Sequence, residues 1–170
     1  MKTYLFLFMA FVSMPLFAQD NAKLSHSEVV EVAGANAKTL TDRATTFMKL
    51  KKIEPRTMAN TISGIGTLTV AYTSVKKGAE SGFIKFGIKM MIKDGKYKID
   101  LTDFRHEGMQ GKSAGGPLDL AKPECGPAQI TDASWAKIKT DAPELMKAFV
   151  QELKTKMDNP VKATPVNTDF

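Results

Sequence analysis

Residues 83–104 restrict the fold more than any other stretch. Ile84, Phe86, Ile88, Met90 and Ile92 alternate with Lys85, Gly87, Lys89, Met91 and Lys93. Strict alternation of this kind marks a strand with one buried face. Asp94-Gly95 follows, a pair that tolerates the positive φ of a two-residue hairpin turn. Folding the chain back there sets Ile92 against Tyr97, Met90 against Ile99 and Ile88 against Leu101. On the other face Lys89 meets Asp100 and Lys93 meets Lys96. A slip of one residue would turn every apolar side chain to water, so turn and pattern agree on one register. A lone hairpin is barely stable in water, so other elements must cover its apolar face.

Those elements flank it in the chain. Ser25–Val32 reads as a short strand closed by Ala33-Gly34, and Asn36 is placed to cap a helix. Leu40, Ala44, Phe47, Met48 and Lys51 recur at helical spacing, Lys49, Lys51 and Lys52 crowd the last turn, and Pro55 closes the segment. Arg56–Ser63 is weakly strand-like. Gly64-Ile65-Gly66 reads as a turn or bulge, and Thr67–Val75 as a strand with Leu68, Val70 and Tyr72 on one face. Lys76–Ser81 reads as a polar loop. Arg105–Ile130 is a long Gly- and Pro-bearing connection, of a length that is either functional or packed irregularly on the body. Thr131 then caps a helical stripe of Trp135, Ile138, Ala142, Leu145, Phe149 and Leu153. Pro143 predicts a kink or break near Ala142, with Asp141 and Glu144 as a capping pair that restarts the helix. Residues 158–170 read as a polar, disordered tail.

The first 18 residues fit none of this. Lys2, an uncharged apolar run from Tyr4 to Val12, Pro15 and Ala18 have the layout of a secretory signal. Cleavage is expected between Ala18 and Gln19, although Leu16 is bulky for its place. The run is shorter than the ~20 residues that span a bilayer, and Gln19 stands where a lipid anchor would need cysteine. The mature chain is therefore expected in the periplasm or outside the cell, with no membrane span. It would carry 23 basic and 18 acidic residues, a net charge of +5. The one cysteine, Cys125, excludes an internal disulfide. It is expected at least half buried, as a free thiol or paired to another molecule.

The order strand, helix, strands, helix resembles a family of exported bacterial proteins, a domain of unknown function with a TATA-box-binding-protein-like fold. Glu28–Gly34 with Arg43-Ala44, Gly64–Thr67, Met91–Tyr97 and Thr102–Phe104 carry the likeness. Gly116–Leu118, Glu124-Cys125 and Trp135 extend it to the C-terminal part. The resemblance implies an antiparallel sheet with two helices on one face, and it implies no known activity. These are turn, strand and packing residues, none of them catalytic.

Residues that could carry chemistry are few. His26, His106 and Cys125 are the only imidazoles and thiol, and Glu124 beside Cys125 opposes thiolate formation. Asp103, His106 and Glu107 are too few for a closed metal site, and Arg105 lies among them, so a solvated strand end is the simpler expectation. Gly111-Lys112-Ser113 mimics a phosphate loop, but His106 occupies the position of its first glycine. Gly64-Ile65-Gly66 lacks the third glycine of a dinucleotide fingerprint. The hairpin lysines Lys85, Lys89, Lys93, Lys96 and Lys98 form an outward face. The namesake of the fold binds DNA on its sheet, but here Tyr97 points inward, Asp100 dilutes the charge, and export removes nucleic acid as a partner.

The chain is thus expected to be an α+β protein. It would have a signal at 1–18, a core at 25–106, a Gly/Pro-rich loop at 107–130, a helical segment at 131–157 on the same core, and the tail. The sheet would have about five strands with both helical segments on one face. The expected function is a non-enzymatic binding or interaction module of the cell envelope, without cofactor or metal. Its partner would be an envelope protein, a glycan or an anionic surface, and Lys85, Lys89 and Lys93 are the candidate surface residues. The alternative is a carrier of a small apolar ligand between sheet and helices, which would leave Phe86, Met90 and Phe149 under-packed.

Overall fold

In the computed structural model, which describes residues 23–74, 78–109 and 114–158, the chain turns at Asp94-Gly95 as the alternation requires. Ile92 pairs with Tyr97, Met90 with Ile99, Ile88 with Leu101, Lys89 with Asp100 and Lys93 with Lys96. The elements run β1 (His26–Glu31), α1 (Ala37–Leu50), β2 (Arg56–Met58), β3 (Thr61–Ser74), β4 (Gly78–Lys93), β5 (Lys96–Gly108), β6 (Gly116–Pro117) and α2 (Asp132–Asp158). The strands form one antiparallel sheet in the order β1-β5-β4-β3-β2, with β6 added to the far end of β5. Both helices bury their apolar stripes in one core with the inward side chains of β3, β4 and β5. The signal segment with its Ala18–Gln19 junction, Lys76, the Gly111–Ser113 motif and the tail from 159 onward lie outside the described residues.

The hairpin turn also organises its neighbours. The Asp94 carboxylate accepts from the Ala37 amide, and Gly95 exchanges backbone hydrogen bonds with Ala35 and Val32. Asn36 caps α1 through the Thr39 amide, and Thr131 caps α2 through the Ser134 amide. One loop residue and one turn residue therefore both serve the exposed amides at the start of α1, where negative charge is favoured.

Four sequence expectations are corrected. Gly64-Ile65-Gly66 is neither turn nor bulge but regular strand within β3; the turn lies at Ala59-Asn60, after a three-residue β2. The glycines are there for space. A Cβ on Gly64 would stand 2.6 Å from the Ile53 side chain, and one on Gly66 2.3 Å from the Phe86 ring. Gly78–Ser81 is not loop but the start of β4, paired to Ser74–Ala71. The long connection starts later than Arg105, because β5 continues to Gly108. It packs as a flap: Leu118 donates to Phe104, Glu124 to Gly115, and the Trp135 indole to Leu120. Finally, α2 is one continuous helix across Pro143 with no break, and Asp141 pairs with Lys137 rather than capping a restart. Buried Trp135, Ile138 and Ala142 before the proline and Phe149, Leu153 and Met157 after it pack on the same core. That shared burial outweighs the roughly 3 kcal/mol cost of an interior proline.

A bulge decides which residues of β5 face inward. Pairing runs from Lys85↔Arg105 to Gly87↔Thr102, so β5 holds one extra residue there, and Asp103 adopts a φ of 58°. Alternation changes phase at that point: Leu101 faces in, Thr102 and Asp103 out, Phe104 in. A Cβ in the left-handed region costs roughly 1–2 kcal/mol, less for aspartate than for most residues. Asp103→Ala and Asp103→Gly both remove the Lys23 contact, yet only alanine keeps the strain. We expect urea unfolding to show the glycine variant more stable than the alanine variant by about 1 kcal/mol. Equal stability would contradict the assigned bulge.

Candidate functional site

Because the phase changes at Asp103, His106 is not on a solvated strand end. It is fully buried, in edge-to-face contact with Tyr72 (5.1 Å) and Trp135 (6.2 Å). Its Nδ1 accepts from the Gly115 amide at 3.1 Å, which places the ring proton on Nε2. Nε2 has no hydrogen-bond partner among the described residues and faces Gly82, where a Cβ would stand only 2.4 Å away. Burial holds the imidazole neutral, with a pKa lowered to about 4, the nearby Glu107 charge opposing that shift.

The residues proposed to share chemistry with His106 are not brought to it. Asp103 and Glu107 lie on the opposite face of the sheet. Asp103 accepts from Lys23 and Thr102, and Glu107 pairs with Lys85 at 2.6 Å and Arg105 at 3.9 Å. Among the described residues no group of three or more His, Cys, Asp and Glu side chains could hold a metal ion. Cys125 is half buried and its thiol pKa is raised, by burial first and by Glu124 in addition. Neither nitrogen of His106 bonds to it. His26 stands on β1 opposite Leu101, beside Glu28. Among the described residues, the three positions that an apolar ligand was expected to leave under-packed are covered by neighbours. Phe86, Met90 and Phe149 are buried, Phe86 stacks on Phe104 at 5.3 Å, and Phe149 meets both Phe86 and Phe47 edge to face.

The open face of the sheet has a different character, and among the described residues no element covers it. Reading the register across the strands gives a row Val29, Lys98, Met91, Thr61, Met58. Beside it on one side run Glu31, Lys96 and Lys93, and on the other Ser27, Asp100, Lys89, Ser63 and Arg56. Apolar Met58 is 82% exposed and Val29 59%, with Ile65 at 68% one row further on. The five hairpin lysines are not equivalent. Lys85, also on this face, pairs with Glu107 at 2.6 Å and stays partly exposed. Lys98 pairs with Asp100 at 2.8 Å, and Asp100 also accepts from Ser27, which together hold its carboxyl below the usual range. Lys89, Lys93 and Lys96 are exposed and form no direct salt bridge among the described residues; Lys89 lies opposite Asp100, whose carboxyl pKa its charge also helps to lower, and Lys96 lies opposite Glu31. Lys96 thus joins Lys89 and Lys93 as an exposed lysine of this face without a direct salt bridge among the described residues.

On the helical side, a groove of about 230 Å³ lies between α1 and the end of α2, lined by Thr39, Asp42, Arg43, Thr46, Phe47, Leu50 and Lys156. Arg43 donates there to the carbonyl of Met157, at the negative end of α2. No helix among the described residues is long and apolar enough to cross a membrane.

Among the described residues, a six-stranded antiparallel sheet carries two helices on one face and no element on the other, and the comparison with solved structures gives this as a TBP-like fold. The chain is similar to a DUF4468 family protein from Bacteroides ovatus, with a TM-score of 0.58 and 15% identity, over 83% of this chain and 90% of that one. It is equally similar to a TBP-like protein from Parabacteroides distasonis, at TM-score 0.58 and 13% identity, over 81% and 94%. No family model and no curated protein matches the sequence.

Proposed function

We propose that this protein is a non-enzymatic binding module, exported to the periplasm or beyond, that docks an anionic partner on its open sheet face. The observation that carries the reading is the set of three exposed lysines, Lys89, Lys93 and Lys96, which form no direct salt bridge among the described residues and outnumber their cross-strand acidic neighbours Asp100 and Glu31. A partner's negative charges would complement this excess, and the attraction would weaken with added salt. The layout of residues 1–18 supports export. Protein recovered from the periplasm or the medium should begin at Gln19, and a full-length chain confined to the cytoplasm would overturn that part.

Binding is tested by retention of the mature chain on a polyanionic support across a salt gradient. Lys89→Glu, Lys93→Glu and Lys96→Glu together should elute at far lower salt than the parent. Reversing exposed Lys122, Lys147 and Lys156 changes the net charge equally but touches other surfaces. That control should stay close to the parent. Equal loss in both would mean net charge alone is read, and the face has no part in it.

A further inference from the structure

We infer that the partner of the open face is an anionic lipid bilayer, a conclusion that rests on the reading of that face as the docking surface. The line Val29, Met91, Met58 crosses five strands, about 19 Å at the usual strand spacing. Net-cationic rows flank it, with Lys93 and Lys96 against Glu31 on one side and Lys89 and Arg56 against Asp100 on the other. This composition is unlike a stereospecific protein interface, where aromatic and arginine anchors dominate and lysine is depleted. The line and its two flanking rows hold one arginine, Arg56, at the edge strand, and no aromatic side chain; Trp135, Tyr72 and Tyr97 are all buried in the core. Lysine and methionine are long and unbranched, and lysine can rest its stem on apolar surface while its ammonium seeks a phosphate. Such groups suit a fluid surface in which the charges act by their sum, and the exposed apolar line would meet the acyl boundary between headgroups.

The test uses the mature chain with vesicles of phosphatidylglycerol and phosphatidylcholine, against vesicles of phosphatidylcholine alone, by co-sedimentation. The mixed vesicles should bind the protein and the neutral ones should not. The Lys89/Lys93/Lys96 charge reversal should weaken partition on the order of a hundred-fold. Val29→Thr with Met58→Gln keeps every charge and should weaken it several-fold, with thermal melting unchanged to show that the fold is intact. Binding that ignores the Val29/Met58 change overturns the bilayer assignment. So does absence of binding to either vesicle while the lysine variant still loses retention on the polyanionic support, and in that case the face keeps an anionic polymer or acidic protein as occupant. Loss of both would remove the docking surface itself.

Discussion

Replacing Phe86 with alanine should lower the unfolding free energy by about 3–5 kcal/mol, at the upper end of what a single core truncation costs. Phe86 is fully buried in β4, stacked on Phe104 and touched by the edge of Phe149. It also fills the space above Gly66, where even a Cβ would come within 2.3 Å of the ring. Gly66→Ala in the parent should therefore cost about 1–3 kcal/mol by overpacking. In the Phe86→Ala background the ring is gone and the new methyl enters the cavity, so the same change should cost little or be favourable. Residues in contact couple in this way, and a double-mutant cycle by urea titration measures it. Additive losses would mean that the Phe86 ring does not set the space available at Gly66.

Acid should weaken the fold well above the range in which carboxylates titrate. His106 has a pKa of about 4 in the folded protein, against roughly 6.5 for a free imidazole. Above pH 6.5 the ring is neutral in both states and contributes no pH dependence. As pH falls from 6.5 towards 4, the unfolded chain takes up the proton first, so stability drops through that window. The loss is on the order of 3 kcal/mol. Glu28 and Asp100, whose pKa values are lowered mainly by hydrogen bonds from Lys154 and Lys98, act with the same sign but only at lower pH. Urea midpoints at pH 7, 5.5 and 4.5 separate the two effects. His106→Phe removes the titrating group from its aromatic surroundings and should flatten the profile between pH 7 and 4.5. A profile that keeps its slope in this variant would place the responsible proton elsewhere.

The hairpin and the helices were legible because their signals are local. Alternating side chains and a two-residue turn agree on one register, and Asn36 and Thr131 cap helices from their places in the chain. Three features were not legible for reasons that are physical. A glycine pair is as compatible with a turn as with close packing, and only the ring of Phe86, some 20 residues further on, distinguishes them at Gly66. The extra residue at Asp103 leaves no composition signature, since aspartate is common on strand faces, yet it reverses the phase and carries His106 inside. Proline within α2 carries a local penalty that the sequence states clearly, while the burial that overrides it comes from the sheet. The candidate surface was half legible. Lys89 and Lys93 face outward by period alone. Lys85 meets Glu107 only through the shifted register, and the line from Val29 to Met58 exists only once the strand order β1-β5-β4-β3-β2 is known.

The claim that the bare sheet face is where this protein binds is tested most directly by backbone amide NMR of the mature chain, titrated with a short polyphosphate at low salt. The predicted result is a contiguous set of shifted amides around Lys89, Lys93, Lys96 and Val29, with those of α1 and α2 unmoved. Shifts concentrated instead at Arg43 and Lys156, in the groove between the helices, would contradict it.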